Sequence, residues 1–260
     1  MQLFENTQLG MISFQIASDL HIDVNSCLTA REWEKLLPRL APNLILAGDV
    51  CEMVHLNLIT CFLAWCAARY EDVYFVFGNH EFYHSSIPVT LSKMRRIEAA
   101  LPNLHVLHNR MVEKNGLLIA GTTLWSLVAD DANPKRVNDF SLIHGLDIPL
   151  YQTLHAQARN FLATVPSSAL VISHHAPSTH GTSNPRFERP DRAHNNQFFA
   201  SDMDLRFKAW VFGHTHWAVC DEQRRLYSNP YGYSRESTGW KSPGLVVTIP
   251  RQIRSFSKIK

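Results

Sequence analysis

Fourteen histidines stand in this 260-residue chain, and their placement matters more than their number. Five short motifs carry residues able to hold a metal ion or move a proton: Asp19-Leu20-His21, Gly48-Asp49, Gly78-Asn79-His80-Glu81, His174-His175 and Gly213-His214-Thr215-His216. Sorted by chemistry, Asp19 and Asp49 offer carboxylates, His21, His174, His214 and His216 offer imidazoles, and Asn79 offers a carboxamide. A mixed nitrogen and oxygen set of this kind suits Mn, Fe or Zn better than Ca or Mg alone. Seven donors are too many for one ion.

Taken singly, most of these motifs are weak. Asp-x-His fits an ordinary surface turn, and Gly-Asp is favoured in turns for conformational reasons of its own. Gly-Asn-His-Glu is sharper, since a chance match at any given position is on the order of one in 10⁵ at average residue frequencies. Order and placement decide the matter, because each motif closes an apolar run.

The elements that must position these motifs follow from the apolar pattern. Short runs rich in Val, Ile and Phe predict strands over 12–17, 44–47, 73–77, 104–107, 117–120, 170–172 and 210–212, with further short strands making up most of 218–249. Helical patterns lie between them. Thr29 and Glu32 form a capping box that opens a helix to about Leu40, and further helices are expected over 56–70, 88–101 and 150–163. Phe62 and Trp65, at helical spacing, are expected in the core. This alternation argues for a layered α/β fold. In open α/β sheets ligands gather outside the carboxyl ends of the strands, so the five motifs are expected to converge on one crevice. Glycine just before the donor at three of the exits permits a sharp turn and leaves room for an ion or phosphate.

Composition bounds the rest. At 45% hydrophobic and 18% charged, the chain is expected to form one globular domain over 11–260, with 1–10 a tail or an alternative start before Met11. A formal charge of +2 gives no electrostatic signature of nucleic-acid binding, so a small phosphorylated or locally charged partner fits better. Five cysteines without metal-motif spacing, several in apolar runs, predict reduced thiols and a cytoplasmic setting. The longest apolar stretch is too short to span a bilayer, and no signal-peptide pattern is visible.

The ordered motifs Asp-x-His, Gly-Asp, Gly-Asn-His-Glu, His-His and Gly-His-x-His together resemble those of the calcineurin-like metallophosphoesterase superfamily. The resemblance spans about residues 11–249 and implies a four-layer α/β/β/α sandwich of two mixed β-sheets flanked by helices. It also implies a division of the donors between two divalent ions. Asp19, His21, Asp49 and His216 would hold one and Asp49, Asn79, His174 and His214 the other, with Asp49 shared. His80, not needed by either ion, is then the residue that stabilises the transition state and protonates the leaving alkoxide. A metal-bridging hydroxide is the expected nucleophile. Three further segments, Gly121-Thr122-Thr123-Leu124-Trp125, Asn138-Asp139-Phe140 and Ser228-Asn229-Pro230-Tyr231-Gly232-Tyr233, are similar to a largely uncharacterised bacterial subgroup.

The reaction so implied is hydrolysis of a small phosphodiester, phosphomonoester or nucleotide. A nuclease and a non-catalytic protein-interaction scaffold are the alternatives, and the full set of donors speaks against the scaffold. Glu52 is one acidic group that could pair with His80. For the substrate, the aperiodic stretch 178–196 offers Arg186, Arg189 and Arg192, and the region 127–150, with Arg136, Asn138 and Asp139, is a second expected wall.

Overall fold

A computed structural model describes residues 10–128, 135, 137–188 and 198–251. Its first sheet places β1 (Met11–Ala17), β2 (Asn43–Leu46), β3 (Asp72–Phe75) and β4 (Leu104–Val106) side by side and parallel. An antiparallel edge strand, β11 (Leu245–Pro250), pairs with β1. Parallel strands need crossovers, and these are α1 (Ala30–Leu36), α2 (Leu56–Ala67) and α3 (Ile87–Ala100).

The second sheet holds β5 (Arg110–Lys114), β6 (Leu117–Thr122), β7 (Leu170–Ser173), β8 (Ala209–Val211), β9 (Val219–Asp221) and β10 (Leu226–Ser228). Their order is β5-β6-β7-β8-β10-β9, with β5 and β9 the antiparallel edges. The short α4 (Asp139–Leu142) and the long α5 (Ile148–Thr164) lie in the crossover from β6 to β7.

Alternation along the strands sorts the core into three slabs. Ile12, Phe14 and Ile16 of β1 meet Ile119, Leu170, Ile172 and Val211 of the other sheet, so the two sheets pack face to face. The opposite face of the first sheet, with Leu44, Leu46, Val73 and Phe75, receives Trp33, Ile59, Phe62 and Leu63 from the helices. Val171 and Trp210 on the outer face of the second sheet receive Ala158 and Leu162 of α5. The result is the α/β/β/α sandwich of two mixed sheets that the motifs imply. Phe62 is fully buried and Trp65 packs partly buried against the same cluster. Each fully buried side chain of this size contributes about 1.5–3 kcal/mol relative to exposure, so the slabs hold the frame on which the strand exits are mounted.

Two local expectations differ from what is observed, the extent of the first helix and the strand content of 218–249, and two elements, β5 and α4, were not foreseen. The first helix keeps its Thr29–Glu32 capping box but ends at Leu36, because Pro38 disfavours helical geometry in the residue before it. Strand β5, with the sequence RMVEK, has an exposed polar edge and too little apolar alternation to be seen in the sequence. Helix α4 is a single turn. The stretch 218–249 is not mostly strand: β9, β10 and β11 bracket an irregular segment, 229–244, that runs past the metal-competent residues. The expected tail lies outside the described residues except for Gly10. Among the described residues, no helix is long and apolar enough to cross a membrane.

Candidate metal centre

All five motif-bearing strands, β1, β2, β3, β7 and β8, end at the same rim of the sandwich. The backbone there is unusual. Asp19, His21, Asp49, His214 and His216 all have φ between +41° and +67°, the left-handed region that non-glycine residues seldom occupy. Five such residues among seven expected donors indicate turns bent to aim side chains inward, a pattern that clusters at functional sites. Gly48 and Gly78 allow the bend. A Cβ on Gly48 would stand 2.5 Å from His174 Nδ1, and one on Gly78 would stand 2.6 Å from the Asp49 main-chain nitrogen.

The seven expected donors come together, drawn from both sheets. His21 Nε2 faces His216 Nε2 at 3.3 Å, and His174 Nε2 faces His214 Nδ1 at 3.2 Å. Asp19 Oδ1 lies 3.4 Å from His216 Nε2, and Asn79 Oδ1 lies 3.1 Å from His174 Nε2. Asp49 stands between the two groups, with Oδ2 at 3.4 Å from His174 Nε2 and 3.9 Å from His21 Nε2. Facing ring nitrogens are what a shared cation produces: metal–nitrogen bonds of about 2.0–2.1 Å in a tetrahedral site put two ligand nitrogens about 3.3–3.4 Å apart. Donor chemistry and spacing both fit two ions.

The remaining ring nitrogens are held so that these face inward. The other nitrogen of His174, Nδ1, donates to Ala47 O at 2.8 Å, and His214 Nε2 donates to Phe198 O at 3.3 Å. His216 Nδ1 meets Glu236 Oε2 at 2.5 Å. A carboxylate behind a ligand histidine fixes its tautomer and raises its basicity. Asn79 is oriented in the same way, its Nδ2 donating to Asp139 Oδ1 at 2.8 Å and to the Tyr83 hydroxyl at 3.0 Å, which leaves Oδ1 for the centre. Glu81 ties the turns together. Its two oxygens accept from the main-chain nitrogens of Asp49, Val50, Cys51 and Gly78 at 2.6–3.3 Å.

Electrostatics match this division. Burial lowers His21 to about pKa 4 and, with His174 beside it, His214 to about 3, so both rings are neutral donors. Burial opposes charge on Asp49, yet His174 and His80 hold it well below the usual carboxylate range. Burial also opposes charge on His174 and His216, but Asp49 raises the first to about 9, while Asp19 and Glu236 raise the second to about 10. The two buried carboxylates therefore draw positive charge into the site, as a cation centre must. Burial and the Asp49 charge push Glu81 up to about 8, against the pull of its backbone donors.

His80 lies at the edge of this cluster. Its amide donates to Asp49 Oδ1 at 2.9 Å, its Nε2 is 3.9 Å from Asp49 Oδ2, and its ring packs 4.1 Å from that of Tyr83. Glu52 is not its partner: that carboxylate takes His84 Nδ1 at 2.7 Å. His175 is a packing residue, its ring 4.1 Å from that of His214 and its Nε2 3.3 Å from the Tyr151 hydroxyl.

A cleft of ≈ 800 Å³ opens over Asp49, Asn79 and His80. Of the residues expected to reach a substrate, Arg186, Asn138 and Asp139 line it, whereas Arg136, Arg189 and Arg192 lie outside the described residues. Tyr233, Arg235 and Glu236 also line it and were not anticipated. Tyr233 sits in a segment whose motif was visible, but the motif gives no chemistry. The contacts that bring the segment to the site, Tyr231 N to Ser18 O at 3.0 Å and Gly232 N to Asp19 O at 2.9 Å, join residues remote in sequence.

Fold and site together define a metal-dependent phosphoesterase: an α/β/β/α sandwich with aspartate, histidine and asparagine donors at its strand exits. The chain belongs to the calcineurin-like phosphoesterase family, whose sequence model matches residues 12–218, and is thereby a hydrolase acting on phosphoric esters; the family works through a dinuclear metal centre, and the His and Asp clusters of this chain are compatible with metal binding. An uncharacterized protein of Acanthamoeba polyphaga mimivirus is 24% identical over 261 residues, covering 84% of this chain and 90% of that one. The crystal structure of a phosphopantetheinyl hydrolase from Mycobacterium tuberculosis is similar at TM-score 0.64, with 17% identity over 86% of this chain and 90% of that one. A dimetal phosphatase from Danio rerio aligns at TM-score 0.49, with 12% identity over 93% and 99% of the two chains. At 17% identity the likeness to the phosphopantetheinyl hydrolase is one of fold.

Proposed function

We propose that the chain hydrolyses a small phosphodiester, phosphomonoester or nucleotide at a centre of two divalent ions, Mn, Fe or Zn. Asp19, His21, Asp49 and His216 hold one ion, and Asp49, Asn79, His174 and His214 hold the other. The observation that carries this reading is the Asp49 carboxylate, placed between two pairs of facing imidazole nitrogens. Two bound ions supply Lewis acidity towards the phosphoryl oxygens and make hydroxide available near neutral pH as nucleophile.

The chain's own groups do the rest. Asp19 and Asp49 bring negative charge that fixes the cations, and the cleft positions the ester with its leaving group towards His80. An imidazole can give a proton to the departing alkoxide near neutral pH, which is the role assigned to His80. A cleft of ≈ 800 Å³ is ample for a nucleotide-sized ester, and the balanced charge of the chain supports a small substrate over a nucleic-acid duplex. Five unpaired cysteine thiols support a reducing, cytoplasmic setting.

His80→Ala tests the assignment. With Mn²⁺ content unchanged, turnover of an aryl phosphodiester is expected to fall about a hundredfold or more. Unchanged turnover would remove His80 from the chemistry.

A further inference from the structure

His80 holds its two ring nitrogens in unlike surroundings. Nδ1 is buried and has no hydrogen-bond partner among the described residues, whereas Nε2 lies 3.2 Å from the hydroxyl of Tyr233. A buried N–H without an acceptor is rare and costly, so a proton on Nδ1 would be poorly placed. Placed on Nε2, the same proton has an acceptor in the hydroxyl oxygen of Tyr233. The hydroxyl is itself held. The Tyr233 ring stacks on His21 with centroids 4.6 Å apart and an interplanar angle of 26°, and its main-chain nitrogen donates to Glu236 Oε2 at 3.0 Å. Glu236 in turn holds His216, so one turn of chain touches His21, His216 and His80 together.

We infer that Tyr233 is a positioning residue for His80: its hydroxyl holds the imidazole with the proton on Nε2, the nitrogen nearest Asp49 and the cleft, ready for the leaving group. The inference rests on the proposed role of His80 and adds a residue to it. In the reaction the Nε2–H bond breaks as the proton passes to the leaving oxygen, whose bond to phosphorus takes its electron pair with it. The Tyr233 hydroxyl, freed from accepting, then turns and donates to the Nε2 lone pair, and Nε2 takes its proton back from water once the product has left. The requirement is strongest for an alkyl leaving group, which cannot depart as an anion as readily as an aryl one.

The test compares Tyr233→Phe, His80→Ala and the double variant, each loaded with Mn²⁺, on an aryl and an alkyl phosphodiester. Tyr233→Phe keeps the ring on His21 and deletes only the hydroxyl. It is expected to lower kcat for the alkyl ester about tenfold or more, with a smaller loss on the aryl ester and with KM, metal content and melting temperature unchanged. In the His80→Ala background the hydroxyl should matter little, since its effect passes through the imidazole. Equal kcat in wild type and Tyr233→Phe, or an undiminished loss in the His80→Ala background, would overturn the inference. A loss of bound metal in Tyr233→Phe would overturn it too, by showing that the hydroxyl serves the centre and not His80. If His80→Ala alone proves as active as wild type, both readings fall; if it is slow while Tyr233→Phe is normal, only the Tyr233 reading falls.

Discussion

The Asp49 carboxylate lies between His21 of one sheet and His174 of the other. Its Oδ1 is fixed by the His80 amide at 2.9 Å, and its Oδ2 points between the imidazoles of the two sheets. Around it, the donors divide into those legible in the sequence and those that support them. Asp19, His21, Asn79, His174, His214 and His216 could be read because each follows an apolar run in a short, recognisable motif. The orienting roles of the groups behind them could not, because the partners lie far along the chain: Asp139, expected only as part of a pocket wall, reaches Asn79 across 60 positions, and Glu236 reaches His216 across 20. Glu236 gives a prediction at this scale. Glu236→Gln keeps the size of the side chain but removes the charge behind His216, and Mn²⁺ affinity, measured by calorimetric titration, should fall about 10- to 100-fold. An unaltered affinity would reduce the contact to a surface pair.

The elements matter through how they end. Strands β1, β2, β3, β7 and β8 have apolar bodies and therefore appear in the sequence, each close to its observed limits. Elements whose stability comes from context do not. Strand β5 relies on pairing with β6 and not on its own apolar pattern, and 229–244 is held by hydrogen bonds to the loop after β1. The turn after β3 shows how little latitude these ends have. A methyl group on Gly78 would collide with both the side chain and the main chain of Asp49, and the main chain cannot yield while Glu81 clamps it. Gly78→Ala is therefore expected to abolish Mn²⁺ binding and turnover while leaving the helix and strand content seen by far-ultraviolet circular dichroism in place. Normal metal content in that variant would show that the turn relaxes more freely than its packing allows.

At the scale of the whole molecule, the two sheets each carry part of the proposed centre. The first supplies Asp19, His21, Asp49 and Asn79, and the second supplies His174, His214 and His216. Packing of Ile16 and Ala47 with Ile172 and Val211 sets the spacing between the halves, so the apolar interior fixes the distance between imidazoles that sequence spacing could not. Tyr233 and Glu236 complete the rim from a segment that crosses over from β10. In the proposed centre this rim holds two ions with Asp49 between them. Anomalous scattering from crystals of the Mn²⁺-loaded protein measures that directly. Two peaks about 3.5–4 Å apart are predicted, one beside His21 and His216 and the other beside His174 and His214, with Asp49 touching both. A single peak, or two peaks that Asp49 does not join, would contradict it.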